Sequence, residues 1–346
     1  MTFHNDFPAL KSCTYFNTAY VGLMSQPLYD FRTNYEQNYL LNGDQYKIEA
    51  YDQLDNTHAS IAQFVESKKE QTYFVSNFSV GIRYVLDSIQ KGSNILCIKD
   101  DYHSLVDAIE ERDFNHFYLT MEERLEDKID QALAQNKYDA LVISIVQYTN
   151  GLKIDFDFLD NLREQYPQLL IIGDATQFIG TDHFNFSNSP FDAVVCSGYK
   201  WLLAGFGNGF IVLSDRFFEL TNTNGETFHQ KVFTGHFNIL GAASLVFAMD
   251  YLTAHDFGQL VERNKMLSNT LRKELLNIGW IPKFHQRSSQ SSILSIASEE
   301  EVLKSLETSN VRAAYRGGYL RFSVHFYNTK NEIDQLINIL KEVNQI

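Results

Sequence analysis

Lys200 stands three residues beyond the apolar run AVVCS (193–197), inside SGYKWLLAGFGNG, with aromatic and aliphatic residues on both sides. An apolar setting lowers a lysine's pKa and supplies the neutral amine that imine chemistry requires. Taken alone, such a lysine is more often one whose head snorkels to water. Asp174 ends the run LLIIGD (169–174) with no basic neighbour in sequence. That is a costly place for a carboxylate unless a cation meets it, and a structural cap is the alternative. Ser79 follows TYFVS (72–76), where a hydroxyl and the unpaired amides of a helix start could hold a phosphate, although by itself such a serine is more often a simple N-cap. Asp100, Asp101, Tyr102 and His103 follow NILCI (94–98), and an aromatic ring there could stack on a flat cofactor. Pyridoxal 5′-phosphate (PLP) needs a lysine for its aldehyde, a carboxylate that keeps its pyridine nitrogen protonated, and a phosphate cup. Lys200, Asp174, and Ser79 with Ser197 supply that set, which points to Lys200 carrying PLP as a Schiff base.

The elements that must position these residues are legible as apolar runs. TYFVS, NILCI, ALVISIV (140–146), LLIIGD, AVVCS and GFIVLS (209–214) alternate with amphipathic stretches. The alternation predicts an α/β fold with a mostly parallel central sheet covered on both faces. Ligands bind outside the carboxyl ends of strands in such a sheet, where these polar residues fall. Helical periodicity fills 79–89, 123–135 and 156–165. After Ser214 come longer helices at 239–252 and 261–276, then short strands near 292–295 and 319–323. The expected division is an N-terminal arm at 1–25, a large PLP-binding domain at 26–250 and a smaller α+β C-terminal domain at 251–346.

Bulk properties narrow the function classes. The 346 residues carry a formal net charge of −14, which repels phosphate backbones and anionic lipids, so neither nucleic acid nor membrane is an expected partner. The apolar stretch 237–249 is shorter than a bilayer requires. MTFHNDFPALKS has no signal-peptide pattern, and the expectation is a cytoplasmic protein. Cys13, Cys97 and Cys196 lack zinc-ligand spacing and read as buried small hydrophobes; no metal site is expected. GFGNG (205–209) lacks the spacing of a dinucleotide-binding loop.

LLIIGDATQFIGT with its Asp-x-x-Gln, SGYKWLLAGFGNGF, and YLRFSVHFYNTKNEID together resemble the class V aminotransferases. These PLP enzymes include cysteine desulfurases, selenocysteine lyases and isopenicillin epimerase-like proteins. The resemblance implies the PLP-dependent transferase fold of aspartate aminotransferase-like, type I enzymes. It makes Lys200 the catalytic imine lysine, Asp174 the partner of the pyridinium nitrogen, Gln177 the contact to the ring hydroxyl and Tyr102 the ring-stacking residue. Ser79, Val80 and Ser197 are implied at the phosphate, and Arg321 at the substrate carboxylate. Gln147 or Tyr148 falls near a further cofactor-contacting position. FTGHFN resembles a loop that reaches the phosphate of a neighbouring subunit, with His236 where threonine is common, so a homodimer with shared active sites is implied. Tyr199 replaces a histidine common before the lysine. No cysteine lies between Trp280 and Arg321, which disfavours a persulfide mechanism.

The expected activity is chemistry at the α-amino group of a small L-amino acid, with transamination to a keto-acid acceptor preferred. A PLP-dependent C–S or β-lyase, or an epimerase, is the alternative, since all begin by loss of the α-proton. Two rivals lie outside this class. Ser197-x-x-Lys200 with Tyr148-Thr149-Asn150 imitates serine penicillin-binding enzymes, but in the wrong order and without a K-T-G strand. A non-catalytic PLP-fold scaffold is the other, and intact Lys200, Asp174 and Arg321 argue against it.

Overall fold

The computed structural model describes residues 3–343. Its strands in chain order are β1 (Thr14–Tyr15), β2 (Thr72–Val75), β3 (Asn94–Ile98), β4 (Asn115–Leu119), β5 (Ala140–Ser144), β6 (Leu170–Asp174), β7 (Ala193–Ser197), β8 (Gly209–Leu213), β9 (Ile293–Ala297), β10 (Val311–Arg312), β11 (Ala314–Arg316) and β12 (Tyr319–Ser323). Seven of them form the central sheet in the order β2-β8-β7-β6-β5-β3-β4. β8 runs antiparallel to both neighbours and every other pairing is parallel, which is the mostly parallel α/β sheet expected from the apolar runs.

Strands β5, β6 and β7 are buried along their whole length because helices cover both faces. Side chains alternate between two apolar layers: Leu141, Ile143 and Ile171 enter one, while Val142, Ile172 and Val195 enter the other. β4 escapes the reading of apolar runs because it is an edge strand, with Asn115, His116 and Phe117 exposed. The helices predicted at 156–165 and 239–252 form at Phe156–Gln165 and Ile239–Ala254.

The C-terminal part is a separate antiparallel sheet of order β11-β12-β9. It is closed by the helices Phe257–Asn277 and Lys330–Val343 around Leu267, Leu271, Leu294, Phe322 and Leu336. The N-terminal segment ties the two sheets together. β1 pairs with β10, the Ala19 amide donates to Ser323 Oγ at 2.9 Å, and the Gly22 amide donates to the Tyr199 carbonyl at 3.0 Å. A Cβ on Gly22 would lie 2.0 Å from the Lys200 carbonyl oxygen, so only glycine lets the arm rest on the backbone of the lysine. Among the described residues no helix is long and apolar enough to cross a membrane, and no acid, histidine or cysteine cluster could hold a metal.

Candidate active site

The carboxyl ends of the central strands open into one cavity lined by Ser79, Tyr102, Asp174, Gln177, Ser197 and Lys200. Six residues spread over more than a hundred positions of sequence thus meet where a parallel sheet is expected to bind its ligand.

Asp174 ends β6 and is 5% exposed. Among the described residues only Thr176 bonds its carboxylate, the amide reaching Oδ1 at 2.8 Å. Burial pushes this carboxyl up to about 6, and the neighbouring Asp101 adds to the rise while Lys200 opposes it. Asp101 is itself buried and well bonded, accepting from the Ser144 amide at 2.9 Å, the Tyr102 amide at 2.6 Å and the Ser144 hydroxyl. It fixes the backbone from which Tyr102 enters the cavity.

Lys200 is 7% exposed. Burial lowers its ammonium to about 8, against the pull of Asp174 and with the help of Arg321 and Arg316. The amine lies 5.7 Å from the ring centre of Tyr102 and 5.5 Å from that of Tyr199. Residues after Lys200 turn sharply, with Leu203 at φ +60, and Trp201 is fully buried against His325. Trp201 Nε1 donates to Gln177 Oε1 at 2.7 Å, and Gln177 Nε2 donates to the Ala19 carbonyl at 3.0 Å. One amide proton of Gln177 is left for the cavity.

The helix Phe78–Leu86 points its N-terminus at the cavity. Its cap is Asn77 rather than Ser79, with Asn77 Oδ1 accepting from the Val80 amide at 3.0 Å. Ser197 Oγ accepts from the Phe78 amide at 2.8 Å, and Ser104 Oγ donates to Ser79 Oγ at 2.6 Å. The Ser79 amide has no partner among the described residues. Val80 and His236 do not join this cavity. They line an adjacent hollow with Ser76 and Gly235, where exposed His236 bonds the Tyr51 hydroxyl through Nδ1. The Val80 amide, implied at the phosphate by the resemblance, donates to the helix cap Asn77.

Arg321, in the middle of β12, is 1% exposed. One terminal nitrogen donates to the Tyr148 carbonyl, while Nε and the other terminal nitrogen are buried without partners. Burial lowers the guanidinium to about 10, and Arg316 adds to the fall. A buried cation with open donors and no carboxylate beside it is a site for an anion.

These groups fit PLP. An underbonded carboxylate can meet a pyridinium nitrogen, a desolvated amine can meet an aldehyde, and an open helix N-terminus can meet a phosphate. They do not fit a serine acylase: Ser197 Oγ is held by an amide and makes no bond to Lys200. Sequence reasoning missed Thr176, Asn77 and Gly22. Asn77 carried a signal, since an asparagine just before an apolar helical run is a typical cap. Gly22 acts through contacts distant in sequence and carried none, while Thr176 bonds the nearby Asp174 through a backbone amide that any residue there would present.

Comparison with known proteins agrees with this reading. The model of the aminotransferase class-V family matches residues 24–336. A probable cysteine desulfurase of Methanothermobacter thermautotrophicus is 22% identical, over 98% of this chain and 96% of the relative. The apo cysteine desulfurase of Thermococcus onnurineus superposes with a TM-score of 0.83 at 16% identity, covering 99% of this chain and 97% of that one. The cystine C–S lyase C-DES, solved with its product cysteine persulfide, superposes with a TM-score of 0.85 at 14% identity, covering 97% and 99%. With the family model spanning most of the sequence, the chain belongs to the aminotransferase class-V family and is a PLP-dependent enzyme.

Proposed function

We propose that this enzyme is a lyase that opens the Cβ–S bond of a small sulfur-bearing L-amino acid without a persulfide-carrying cysteine. The observation that carries the choice is the near full-length match to a probable cysteine desulfurase, taken with a cavity that no cysteine lines. Cys97 and Cys196 are buried in the sheet, and Cys13 lies on the N-terminal arm. Sulfur therefore departs on a fragment of the substrate. Transamination, preferred from the sequence, has less support, because the relatives reported above are named for sulfur chemistry.

When bound, PLP supplies the electron sink that makes bonds at the α-carbon labile. Lys200 is the residue that would hold it, and its Nζ would take the α-proton of the substrate. Asp174 would face the pyridine nitrogen, Tyr102 would cover the ring and Gln177 would give its remaining amide proton to the ring hydroxyl. Ser79 and Ser197 hold the phosphate. Arg321 grips the α-carboxylate with its two open donors, which orients the Cα–H bond toward Lys200. A homodimer is part of this proposal, with His236 and the Val80 hollow serving the neighbouring copy's phosphate. Support comes from Leu40 and Leu41, 82% and 71% exposed on the helix Gln26–Asn42, an apolar surface suited to a partner.

Incubation of holoenzyme with L-cysteine or L-cystine, with no keto acid added, is expected to release pyruvate, with sulfide from cysteine and a persulfide from cystine. Amino-group transfer to an added keto acid, with no pyruvate formed, would return the assignment to transamination.

A further inference from the structure

Tyr102, Tyr148 and Tyr199 line the cavity around Lys200, and none of the three hydroxyls bonds to another group among the described residues. Elsewhere several partly buried phenols are tied down: Tyr15 donates to the Val21 carbonyl at 2.8 Å, Tyr251 to Asp6 at 2.6 Å and Tyr315 to the Ser298 carbonyl at 3.1 Å. What sets the three apart is that their open hydroxyls gather around one buried lysine. Two of these rings have neighbours that account for them. Tyr102 lies over the lysine, and Tyr199 stacks on Phe206 with ring centres 5.0 Å apart and planes at 24°.

Tyr148 is held differently. Its carbonyl accepts from Arg321, its ring meets Tyr102 edge to face at 5.6 Å, and the following loop is closed by the Gly151 amide on the Gln147 carbonyl at 2.9 Å. Ser295 Oγ adds a bond to the Thr149 carbonyl at 2.8 Å. Tyr148 thus links Arg321, through its carbonyl, to Tyr102, whose ring faces Lys200. No histidine or cysteine lines the cavity, so no imidazole or thiol competes as proton donor.

We infer that Tyr148 is the general acid that protonates the departing sulfur. The inference rests on the lyase reading and assigns its second proton transfer. The α-proton passes to Lys200 Nζ and the Cα–H pair becomes the Cα–Cβ double bond. The Cβ–S bond breaks with its pair on sulfur, and the Tyr148 proton completes the thiol. The proton held on Lys200 returns through water to the phenolate, and a second water hydrolyses the remaining fragment to pyruvate and ammonia, with no net oxidation.

The test compares L-cysteine with β-chloro-L-alanine, whose chloride leaves without a proton, in wild-type and Tyr148→Phe holoenzymes. The expected result is a fall of about 100-fold in kcat/KM on cysteine and a change below about 3-fold on chloroalanine. PLP content and the visible spectrum are expected to match wild type, and Tyr102→Phe to leave the ratio of the two substrates unchanged. Equal losses on both substrates, or no loss on cysteine, would overturn the assignment while leaving the lyase reading intact. If wild type releases pyruvate from neither substrate, the lyase reading itself fails and the role of Tyr148 goes with it.

Discussion

Asp192 and Asp174 stand at opposite rims of the central sheet, one leading into β7 and the other ending β6, and both are buried. At the amino rim Asp192 accepts from Arg216 at 2.6 Å, from the Ile171 amide at 2.8 Å and from Ser214 Oγ at 3.3 Å. At the carboxyl rim Asp174 has Thr176 alone. The arginines divide in the same way. Arg272 is 8% exposed and its terminal nitrogens reach Asn269 Oδ1 at 2.7 Å and the Ser291 carbonyl at 3.0 Å, whereas two of the nitrogens of Arg321 reach nothing. Burial lowers both guanidinium groups to about 10, so desolvation does not separate them. What separates a structural charge from a ligand-facing one here is the number of hydrogen bonds left unmade.

Breaking the underbonded set should remove chemistry and spare the fold. The largest effect is expected for Asp174→Ala, a loss of about 10³-fold in kcat of the PLP-loaded enzyme, with an unchanged far-ultraviolet circular dichroism spectrum. Arg321→Gln is expected to lower kcat/KM by about 10²-fold, chiefly through KM, in steady-state kinetics. The bonded set should behave in the opposite sense. Asp192→Asn is expected to destabilise the protein by about 3 kcal/mol in urea unfolding, because Arg216 loses its buried partner, while activity per folded molecule is kept.

Asp174 sharpens the contrast further. Because folding raises its pKa, the folded apoprotein carries a penalty above about pH 6 that fades as pH falls toward the ordinary carboxylate range. Asp174→Asn should therefore stabilise the apoprotein by about 1–3 kcal/mol at pH 8, an advantage that disappears near pH 4. Part of the gain is offset because Lys200 loses its counter-charge. Asn77→Ala has the smallest expected effect, about 1 kcal/mol from the loss of the helix cap in thermal unfolding.

The sequence was most legible where burial was complete on both faces. β5, β6 and β7 appear as unbroken apolar runs, and the polar residue after each run is then conspicuous. Legibility failed where burial is one-sided or contacts are distant. The helix Gln26–Asn42 buries only Leu28, so it has no apolar stripe to read. The β12 arginine was recognised from its surrounding motif, but its open donors depend on how β12 meets the loop after β5. The cap at Asn77 was assigned two residues late because Ser79 and Asn77 are both good capping types.

The central claim is that Lys200 is the residue that binds PLP covalently. Wild type and Lys200→Ala, reconstituted with PLP, reduced with borohydride and peptide-mapped by mass spectrometry, test it most directly. Wild type is expected to show a visible band that reduction converts into a stable adduct on the peptide containing Lys200, and Lys200→Ala no such adduct. An adduct on another lysine in wild type, or one that persists in Lys200→Ala, would contradict it.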